Sequence, residues 1–453
     1  MWCVLSNQRL VTDTSGANAS DRRETRIVEP TRLKEHRMSK PQISTRRGFI
    51  AQGLGVVGVG AALPNFLIQT ALAGPKAESD LPILVVVQLS GGNDGLASII
   101  PYGDDAYAQN RPTLRAPVEN LLKIDDYSAF CPALGPFKKM YDEDQLAVIQ
   151  AVGYPNPNKS HFTSMDIWHV ANNSFRRVPG QEAYGWIGRY TDTAFKDVID
   201  SKLSMAVNMG KSPMAMRGRF HAGLALKDPR SFQYMAANND KMKKELYREL
   251  NDSDSKPSKG SSPLDFISKT SSSANRASDE ILKLINATKS ESYPESRLAQ
   301  SLQMVSAMIK GNLSTRVFYV SQGGFDTHAG QATRHAKLMT DFSEAIAAFQ
   351  ADLTGQGNAD RVLTVAFSEF GRVVKENGSQ GTDHGKAAPM FLFGPNVKSG
   401  LYGESPNLTD LDGGDLKFKI DFRSVYATVL DQWMKAPSQK ILGAKFEHLG
   451  FMA

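Results

Sequence analysis

Short runs of apolar residues alternate along this chain with stretches in which apolar residues recur every three or four positions. The runs are rich in β-branched and aromatic residues and predict buried strands at 81–89, 146–152, 203–209, 223–226, 361–367 and 389–393, with another starting at Val317. The helical spacing predicts helices over 132–141, 229–250, 277–286, 295–310, 332–353 and 425–434. This alternation predicts an α/β fold with a mostly parallel sheet sandwiched by helices.

The segment 251–273 interrupts the pattern. It is rich in Ser, Lys and Pro, which is typical of a flexible connection, so we expect a helical, Ser-rich insertion there and not a domain boundary. Residues 74–453 are therefore predicted to form a single α/β domain.

The first 73 residues do not fit that domain. Arg46 and Arg47 stand before a moderately apolar, Gly- and Ala-rich run from 50 to 72, which ends in Ala71-Leu-Ala73. This pattern predicts that residues 1–73 are a leader with a twin-arginine signal peptide, handled by the twin-arginine translocase, and that Met38 is a better start than Met1. The expected destination is the periplasm, the cell envelope or the exterior, with no integral membrane span after cleavage. A retained N-terminal anchor is the alternative.

Charge and cysteine content narrow the classes of function. The leader holds ten Lys or Arg and five Asp or Glu, so it carries five of the six net positive charges of the chain. The rest of the chain is close to neutral, which argues against nucleic acid as a partner. Cys131 is the single cysteine after the leader, so a large apolar core and not a disulfide must hold the exported domain together.

Acids and histidines follow several of the predicted strands. Carboxyl ends of parallel strands meet at one edge of a sheet, so side chains just beyond them are expected to share a site. The side chains at these positions are Asn93, Asp94, Asp326, His328 and Glu369, and a later polar loop adds Asp383 and His384. Each acid alone is weak evidence, because turn or helix-cap chemistry is the alternative explanation.

Together these residues favour a metal site. Carboxylates and imidazoles from dispersed loops suit one or two divalent cations, with zinc or manganese expected and calcium as a further alternative. The predicted ligands are Asp94, Asp326, His328, Glu369, Asp383 and His384, with Asn93 and His161 as additional candidates.

Two residues are candidates for catalysis. Ser160 lies where a Pro- and Asn-rich loop enters a helix, so its hydroxyl either caps the helix or attacks an anionic ester. Arg372 follows Glu369 by three positions and can neutralise charge that develops on that ester.

Five motifs together resemble the family called domain of unknown function 1501, whose members are often exported by the twin-arginine route. They are Gln88-Leu-Ser-Gly-Gly-Asn-Asp-Gly95, Asn158-Lys-Ser-His-Phe162 with Met165-Asp-Ile-Trp168, Gly324-Phe-Asp-Thr-His328, Ser368-Glu-Phe-Gly-Arg372 and Thr382-Asp-His-Gly385. That family is similar in turn to the alkaline phosphatase and sulfatase superfamily. The resemblance implies an alkaline phosphatase-like sheet between helices, a dinuclear metal centre and a hydroxyl nucleophile at a helix start.

The resemblance also implies roles for single residues. Asp94 matches the acid that holds the metal next to the nucleophile, Ser160 matches the nucleophile by position, and Asp326 with His328 matches the acid–histidine pair of the other metal. Two alignments stay open for the end of the chain. In one, Asp383-His384 is the superfamily's metal pair. In the other, which we favour, Glu369 is that acid, His384 is the later lone histidine, and Phe370 stands where a histidine ligand is expected.

Two functions follow from these features. The first is an exported metal-dependent hydrolase of phosphate or sulfate esters, acting on a small anionic ester or a polysaccharide. The second is a non-catalytic envelope protein of the same fold that binds a polymer, a cation or a partner protein. Bound metal together with turnover of aryl phosphates or sulfates distinguishes the first from the second.

Overall fold

The computed structural model describes residues 81–171, 184–195, 206–210, 213–219, 223–225, 242, 293–312 and 315–453. The leader, the insertion at 251–273, the predicted helix at 277–286 and all but Met242 of the one at 229–250 lie outside these residues. The single domain over 74–453 therefore stays a prediction. Among the described helices, none is long and apolar enough to cross a membrane.

Strands account for the central layer of the described part. In chain order they are β1 (Ile83–Ser90), β2 (Ile99–Ile100), β3 (Leu122–Lys123), β4 (Ala129–Phe130), β5 (Leu146–Gly153), β6 (Ala206–Asn208), β7 (Leu224–Ala225), β8 (Val317–Gly323), β9 (Val362–Phe367), β10 (Ala388–Phe393), β11 (Gly400–Tyr402), β12 (Leu411–Asp412), β13 (Asp415–Leu416) and β14 (Ile420–Asp421).

The main sheet is mixed and mostly parallel. Its described strands lie in the order β11-β5-β10-β9-β1-β8-β6-β7, and β14 pairs with β5. β10 is antiparallel to both of its neighbours, whereas the remaining neighbours in this sheet are parallel. β2, β3 and β4 form a small separate sheet, and β12 and β13 form a hairpin. The predicted α/β fold with a mostly parallel sheet is confirmed.

Helices flank this sheet. In chain order they are α1 (Gly95–Ser98), α2 (Asp105–Asn110), α3 (Gly135–Asp142), α4 (His161–Val170), α5 (Trp186–Ala194), α6 (Arg297–Lys310), α7 (Gln331–Gly355), α8 (Phe422–Thr428) and α9 (Ser438–Leu442). The predicted helix at 425–434 is α8 continued by a π-helical turn, Val429–Trp433. The one at 132–141 begins with a 3-10 turn, Pro132–Leu134, before α3.

β1 shows why its apolar run is continuous. Val85 and Val87 pack into one hydrophobic core, and the alternate residues Leu84 and Val86 pack into a second core on the other face of the sheet. Side chains of a strand alternate between faces, so a strand covered on both sides needs apolar residues at every position. The first core includes Phe342 of α7.

The carboxyl ends of three neighbouring strands create the edge at which polar residues meet. β1 is paired in register with β8 up to Ser90 and Gly323, and with β9 up to Gln88 and Phe367, so the loops that follow them leave the sheet side by side. β10 runs in the opposite direction, so the segment before it reaches the same edge. Loops from distant parts of the chain are thereby brought together.

Candidate functional site

Two glycines let the loops after β1, β8 and β9 approach closely. Gly91 has φ +121°, and a Cβ there would lie 2.5 Å from the amide nitrogen of Asp326. Gly92 has φ +76°, and a Cβ there would lie 2.6 Å from the ring of Phe370. Both positions therefore require glycine for conformation and for space.

Three potential metal ligands converge beyond these loops. His328 Nε2 lies 3.0 Å from His384 Nε2 and 3.0 Å from Asp326 Oδ1. The third distance, from His384 Nε2 to Asp326 Oδ1, is 3.1 Å. We call these three residues the three-ligand cluster.

The other nitrogen of each imidazole fixes its tautomer. His328 Nδ1 lies 3.0 Å from Asp383 Oδ1, and His384 Nδ1 lies 2.8 Å from the carbonyl oxygen of Lys159. A carboxylate and a carbonyl can only accept, so each neutral ring carries its proton on Nδ1. Both Nε2 lone pairs then point at each other and at the carboxylate oxygen of Asp326. These three atoms repel unless a cation or an added proton lies among them.

The spacing of these atoms fits a small divalent cation. Nitrogen and oxygen ligands lie about 2.0–2.1 Å from zinc, so three ligands of a tetrahedral site are about 3.3 Å apart. The cluster is within a few tenths of an ångström of that spacing. The histidines also have the hydrogen-bonded Nδ1–H that is typical of metal ligands.

His161 lies beside the cluster and is held by a buried acid. Its Nδ1 is 2.7 Å from Oε1 of Glu369, which also accepts the amide N–H of Gly91 at 2.9 Å. Its Nε2 is buried, has no hydrogen-bond partner among the described residues, and lies 3.5 Å from Asp326 Oδ2. The hydrogen bond to Glu369 is the main cause that raises the pKa of His161 above its usual value.

The ring of Phe370 lies against two histidines of the site. Its ring centroid is 4.8 Å from that of His161 and 4.8 Å from that of His384. His161, Asp326 and His384 each offer a ligand atom, and these atoms lie within 4.8 Å of one another. His161 and the three-ligand cluster therefore surround one small volume.

Arg372 is buried and is hydrogen-bonded to Asp326 and to the loops around it. It donates to four main-chain carbonyl oxygens, those of Gly91, Gly92, Phe325 and Thr382. It also donates to Asp326 Oδ1 at 2.8 Å. Burial favours the neutral acid, but the hydrogen bond and the positive charge of Arg372 hold the pKa of Asp326 well below its ordinary value. Arg372 was predicted to neutralise charge on the substrate. In the structure its hydrogen bonds connect the loops of the site and hold Asp326 in place.

Asp94 and Asn93 lie apart from the cluster's ligand atoms. The buried carboxylate of Asp94 binds Arg111 at 2.6 and 3.2 Å and also accepts from Gln331. Burial alone would raise the pKa of Asp94, but the charge of Arg111 outweighs it, so the pKa is lowered. Asn93 Oδ1 lies 3.0 Å from His335 Nε2. Both predicted ligands thus have protein partners.

Asp383 and Ser160 occupy the margin of the site. Asp383 binds the Nδ1 side of His328, and this hydrogen bond is the main cause that lowers the pKa of Asp383. Ser160 is the N-terminal residue before α4 and is exposed, but its side chain does not cap the helix. Its hydroxyl has no hydrogen-bond partner among the described residues, so no base lies in contact with it.

Arg111, Gln331 and the main chain of Lys159 contribute to the site without having been predicted from the sequence. Arg111 is one of 53 Lys and Arg residues, and nothing near it in the chain indicates an acid partner. Gln331 begins α7, and its side chain lies between Asp94 and Thr382. A main-chain acceptor such as the carbonyl of Lys159 has no side-chain signature at all.

Comparisons with solved structures find similar folds at low identity. One is a sulfatase from Pseudoalteromonas sp., with 11% identity, 85% of this chain and 75% of that chain covered, and a TM-score of 0.35. Another is the alkaline phosphatase from the Antarctic bacterium TAB5, with 12% identity, 71% and 95% covered, and a TM-score of 0.30. A third is a protein in the alkaline phosphatase superfamily from Vibrio parahaemolyticus, with 8% identity, 78% and 75% covered, and a TM-score of 0.28.

Among curated proteins, no sequence matches this chain. A family model described as a protein of unknown function (DUF1501) matches residues 205–442, which is more than half of the chain. Three of the five motifs that carried the predicted resemblance lie inside that segment. The chain belongs to the DUF1501 family.

Proposed function

We propose that this protein is an exported, metal-dependent hydrolase of phosphate or sulfate esters. The observation that carries the proposal is the convergence of two imidazole lone pairs and a carboxylate oxygen at 3.0–3.1 Å, with both Nδ1 protons already donated elsewhere. A divalent cation removes this repulsion and explains why the three side chains are assembled.

The three-ligand cluster would hold the cation. Two imidazoles favour zinc or manganese over calcium, which prefers oxygen ligands. Three protein ligands also leave a position open for substrate, as catalytic sites do. When bound, the cation supplies a Lewis acid that polarises an ester oxygen. We propose one ion here, because Asp94 is paired with Arg111 and Glu369 with His161.

His161 would act as the proton carrier beside the cluster. Glu369 fixes the Nδ1–H tautomer, so Nε2 is free to take a proton from an attacking water and later return it to the leaving group. A histidine oriented by a buried carboxylate is a common arrangement for a general base. We assign the attack to water and not to Ser160, because none of the described residues places a base in contact with the Ser160 hydroxyl.

The surroundings suit an anionic substrate. α4 begins at His161, and helix N-termini attract anions through amide N–H groups that lack helical partners. The next residue, Phe162, is 86% exposed, and its ring offers an apolar surface for the organic part of an ester. A small anionic ester or a charged polysaccharide carries both a negative charge and a less polar organic part.

We propose export because the leader carries a twin-arginine pattern. The paired Arg46 and Arg47 support translocation by the twin-arginine route, which carries folded proteins and so suits a metal inserted before export. Replacing both arginines by lysine is expected to leave the protein in the cytoplasm. Normal export of that variant would contradict the proposal.

Turnover is tested with purified protein loaded with zinc or manganese. Aryl phosphates and aryl sulfates are supplied side by side, and product release is followed with and without a chelator. Chelator-sensitive turnover of either ester supports the proposal. Thermal stabilisation by metal without turnover of any ester would favour the non-catalytic envelope protein.

A further inference from the structure

We propose that Asp415 is a positioning residue that orients His384 toward the metal by fixing Lys159. The inference rests on the proposed metal site and adds a residue far from it in sequence. Asp415 belongs to none of the motifs that predicted the site, and it lies on β13 in the β12–β13 hairpin.

Asp415 is a buried acid that binds two lysines. Its side chain is 2% exposed, and its carboxylate lies 3.0 and 2.7 Å from Lys159 Nζ. The same carboxylate lies 3.5 Å from Nζ of Lys386. Burying a charged group costs free energy unless it is paired, so the position of this carboxylate determines where both ammonium groups can lie.

Each of the two lysines is coupled to His384. The carbonyl oxygen of Lys159 accepts the Nδ1–H of His384 at 2.8 Å, and Lys386 follows His384 by two residues in the chain. Asp415 therefore restrains both the acceptor that sets the tautomer of His384 and the chain segment that carries its ring. With Nδ1–H donated, Nε2 is left as the metal-binding atom.

The hairpin is itself attached to the site. Gly414, in the turn between β12 and β13, accepts a hydrogen bond from the amide of Val374 at 3.2 Å. Val373 in turn accepts at its carbonyl from Arg111 and donates its amide to the carbonyl of Asp383, next to His384. The hairpin thus holds Asp415 at a defined place relative to His384.

The same hairpin supplies a matched control. Asp412 also binds Lys386, at 2.6 Å, but its side chain is 61% exposed, and among the described residues it makes no hydrogen bond or ion pair with Lys159. Removing the charge of Asp412 changes the surface and the Lys386 contact. Removing the charge of Asp415 also releases Lys159, so a comparison of the two isolates the effect on His384.

The experiment measures zinc and cobalt affinity of the full chain by chelator competition for Asp415→Asn, Asp412→Asn and Lys159→Met. The hydrogen-bond partners of metal-bound histidines contribute about 10–100-fold in affinity. Asp415 and the Lys159 side chain act on such a partner and not on the ring itself, so we expect Asp415→Asn and Lys159→Met to weaken metal binding by the lower end of that range, about 10-fold. The double variant Asp415→Asn with Lys159→Met should lose little more affinity than Asp415→Asn alone, since Lys159→Met removes a contact that Asp415→Asn has already removed. Asp412→Asn is expected to change affinity by less than about threefold.

A second measurement separates positioning from folding. Nitrogen chemical shifts of His384 in the metal-free protein should report a protonated Nδ1 throughout in wild type and a mixture of Nδ1–H and Nε2–H forms in Asp415→Asn. If Asp415→Asn does not fold, Lys159→Met carries the test, because its partly exposed side chain can be removed while the carbonyl remains.

Unchanged affinity and tautomer in both Asp415→Asn and Lys159→Met would overturn the inference, provided that wild type binds metal. Wild-type protein that binds no metal would instead overturn the proposed function. An equal loss in Asp412→Asn would show a general effect of the hairpin's charge and would also contradict the specific role of Asp415.

Discussion

His328 and His384 face each other with their Nε2 atoms 3.0 Å apart, and each ring donates its Nδ1 proton to an acceptor on its far side. Two neutral imidazoles in that arrangement have no hydrogen to share, and the carboxylate of Asp326 adds another lone pair. The pairing is unfavourable without positive charge among the three side chains. A metal ion bound among them would supply that charge.

Replacement of His161 is expected to separate catalysis from metal binding. In His161→Asn the three-ligand cluster is intact, so metal should stay bound with an affinity close to that of wild type. Loss of the proton carrier should lower kcat by about 100-fold or more, as for other general bases. Steady-state kinetics and metal titration on one preparation provide both numbers.

His448→Asn is the matched control for His161→Asn. His448 also pairs with a carboxylate, Asp431 at 2.7 Å, but it lies in the C-terminal segment after α9. We expect its replacement to leave kcat and metal affinity within about twofold of wild type. Loss of metal from His161→Asn would show that His161 is a ligand and would contradict its role as proton carrier.

The ion pair of Asp94 and Arg111 is expected to be structural. Removing one partner leaves a buried charge, so Arg111→Met should lower the free energy of unfolding by about 3–5 kcal/mol. Lys138→Met, which breaks an exposed ion pair with Asp142, should cost less than about 1 kcal/mol. Urea denaturation of the metal-free variants gives these differences.

Asp94→Asn completes that test. The predicted role of Asp94 as a ligand and its observed pairing with Arg111 lead to opposite results. If the pairing decides its role, Asp94→Asn destabilises the protein and keeps the metal. Metal loss at unchanged stability would restore Asp94 as a ligand.

Gly91→Ala is expected to damage both the fold and the site. A Cβ at Gly91 would meet the amide of Asp326 at 2.5 Å, and its φ of +121° is strained for any L side chain. Gly357→Ala provides the control, because Gly357 has φ +70° but a Cβ there has no neighbour within 4 Å. Both variants carry backbone strain, which alone costs about 1 kcal/mol of stability. Metal affinity should fall in Gly91→Ala, where the new Cβ collides with the main chain of Asp326, and not in Gly357→Ala. Equal effects would contradict the close approach of the loops.

Stability is expected to fall as the pH drops from about 6.5 to about 4. Burial lowers the pKa of His335 to about 4 and that of His169 to about 4 in the folded protein. The unfolded chain has the ordinary value of about 6.5 and binds protons in this window that the native state does not, so stability rises with pH. His335→Gln keeps a donor toward Asn93 and should flatten this dependence in denaturation curves. An unchanged slope would contradict the buried, neutral state of His335.

Much of the fold could be predicted, because the strands are buried on both faces and so appear as continuous apolar runs. β1 and β9 are examples, and their ends were within two residues of the predicted ones. The antiparallel direction of β10 could not be predicted, since its apolar run is the same in either direction. It matters because the reversal brings His384 to the edge where Asp326 lies.

Within the site, the sequence indicated residue types but not partners. Asp326, His328 and His384 meet because the loop after β8 and the segment before β10 share an edge; the strand pattern implies this edge for the first but not for the second. Asp94 has the same strand-end signature, yet Arg111 binds it from elsewhere in the chain. Pairing of this kind depends on tertiary contacts that no local pattern records. The buried acid Asp415 lies in a short hairpin and had no signature for the same reason.

The most direct test of the central claim is the metal content of the protein purified from its native host, measured by elemental analysis beside Asp326→Ala and His384→Ala. The proposal predicts about one zinc or manganese per wild-type chain and less than about a tenth of that in either variant, with the variants still folded. Folded wild-type protein that carries no metal, and that takes up neither ion when they are supplied, would contradict the claim.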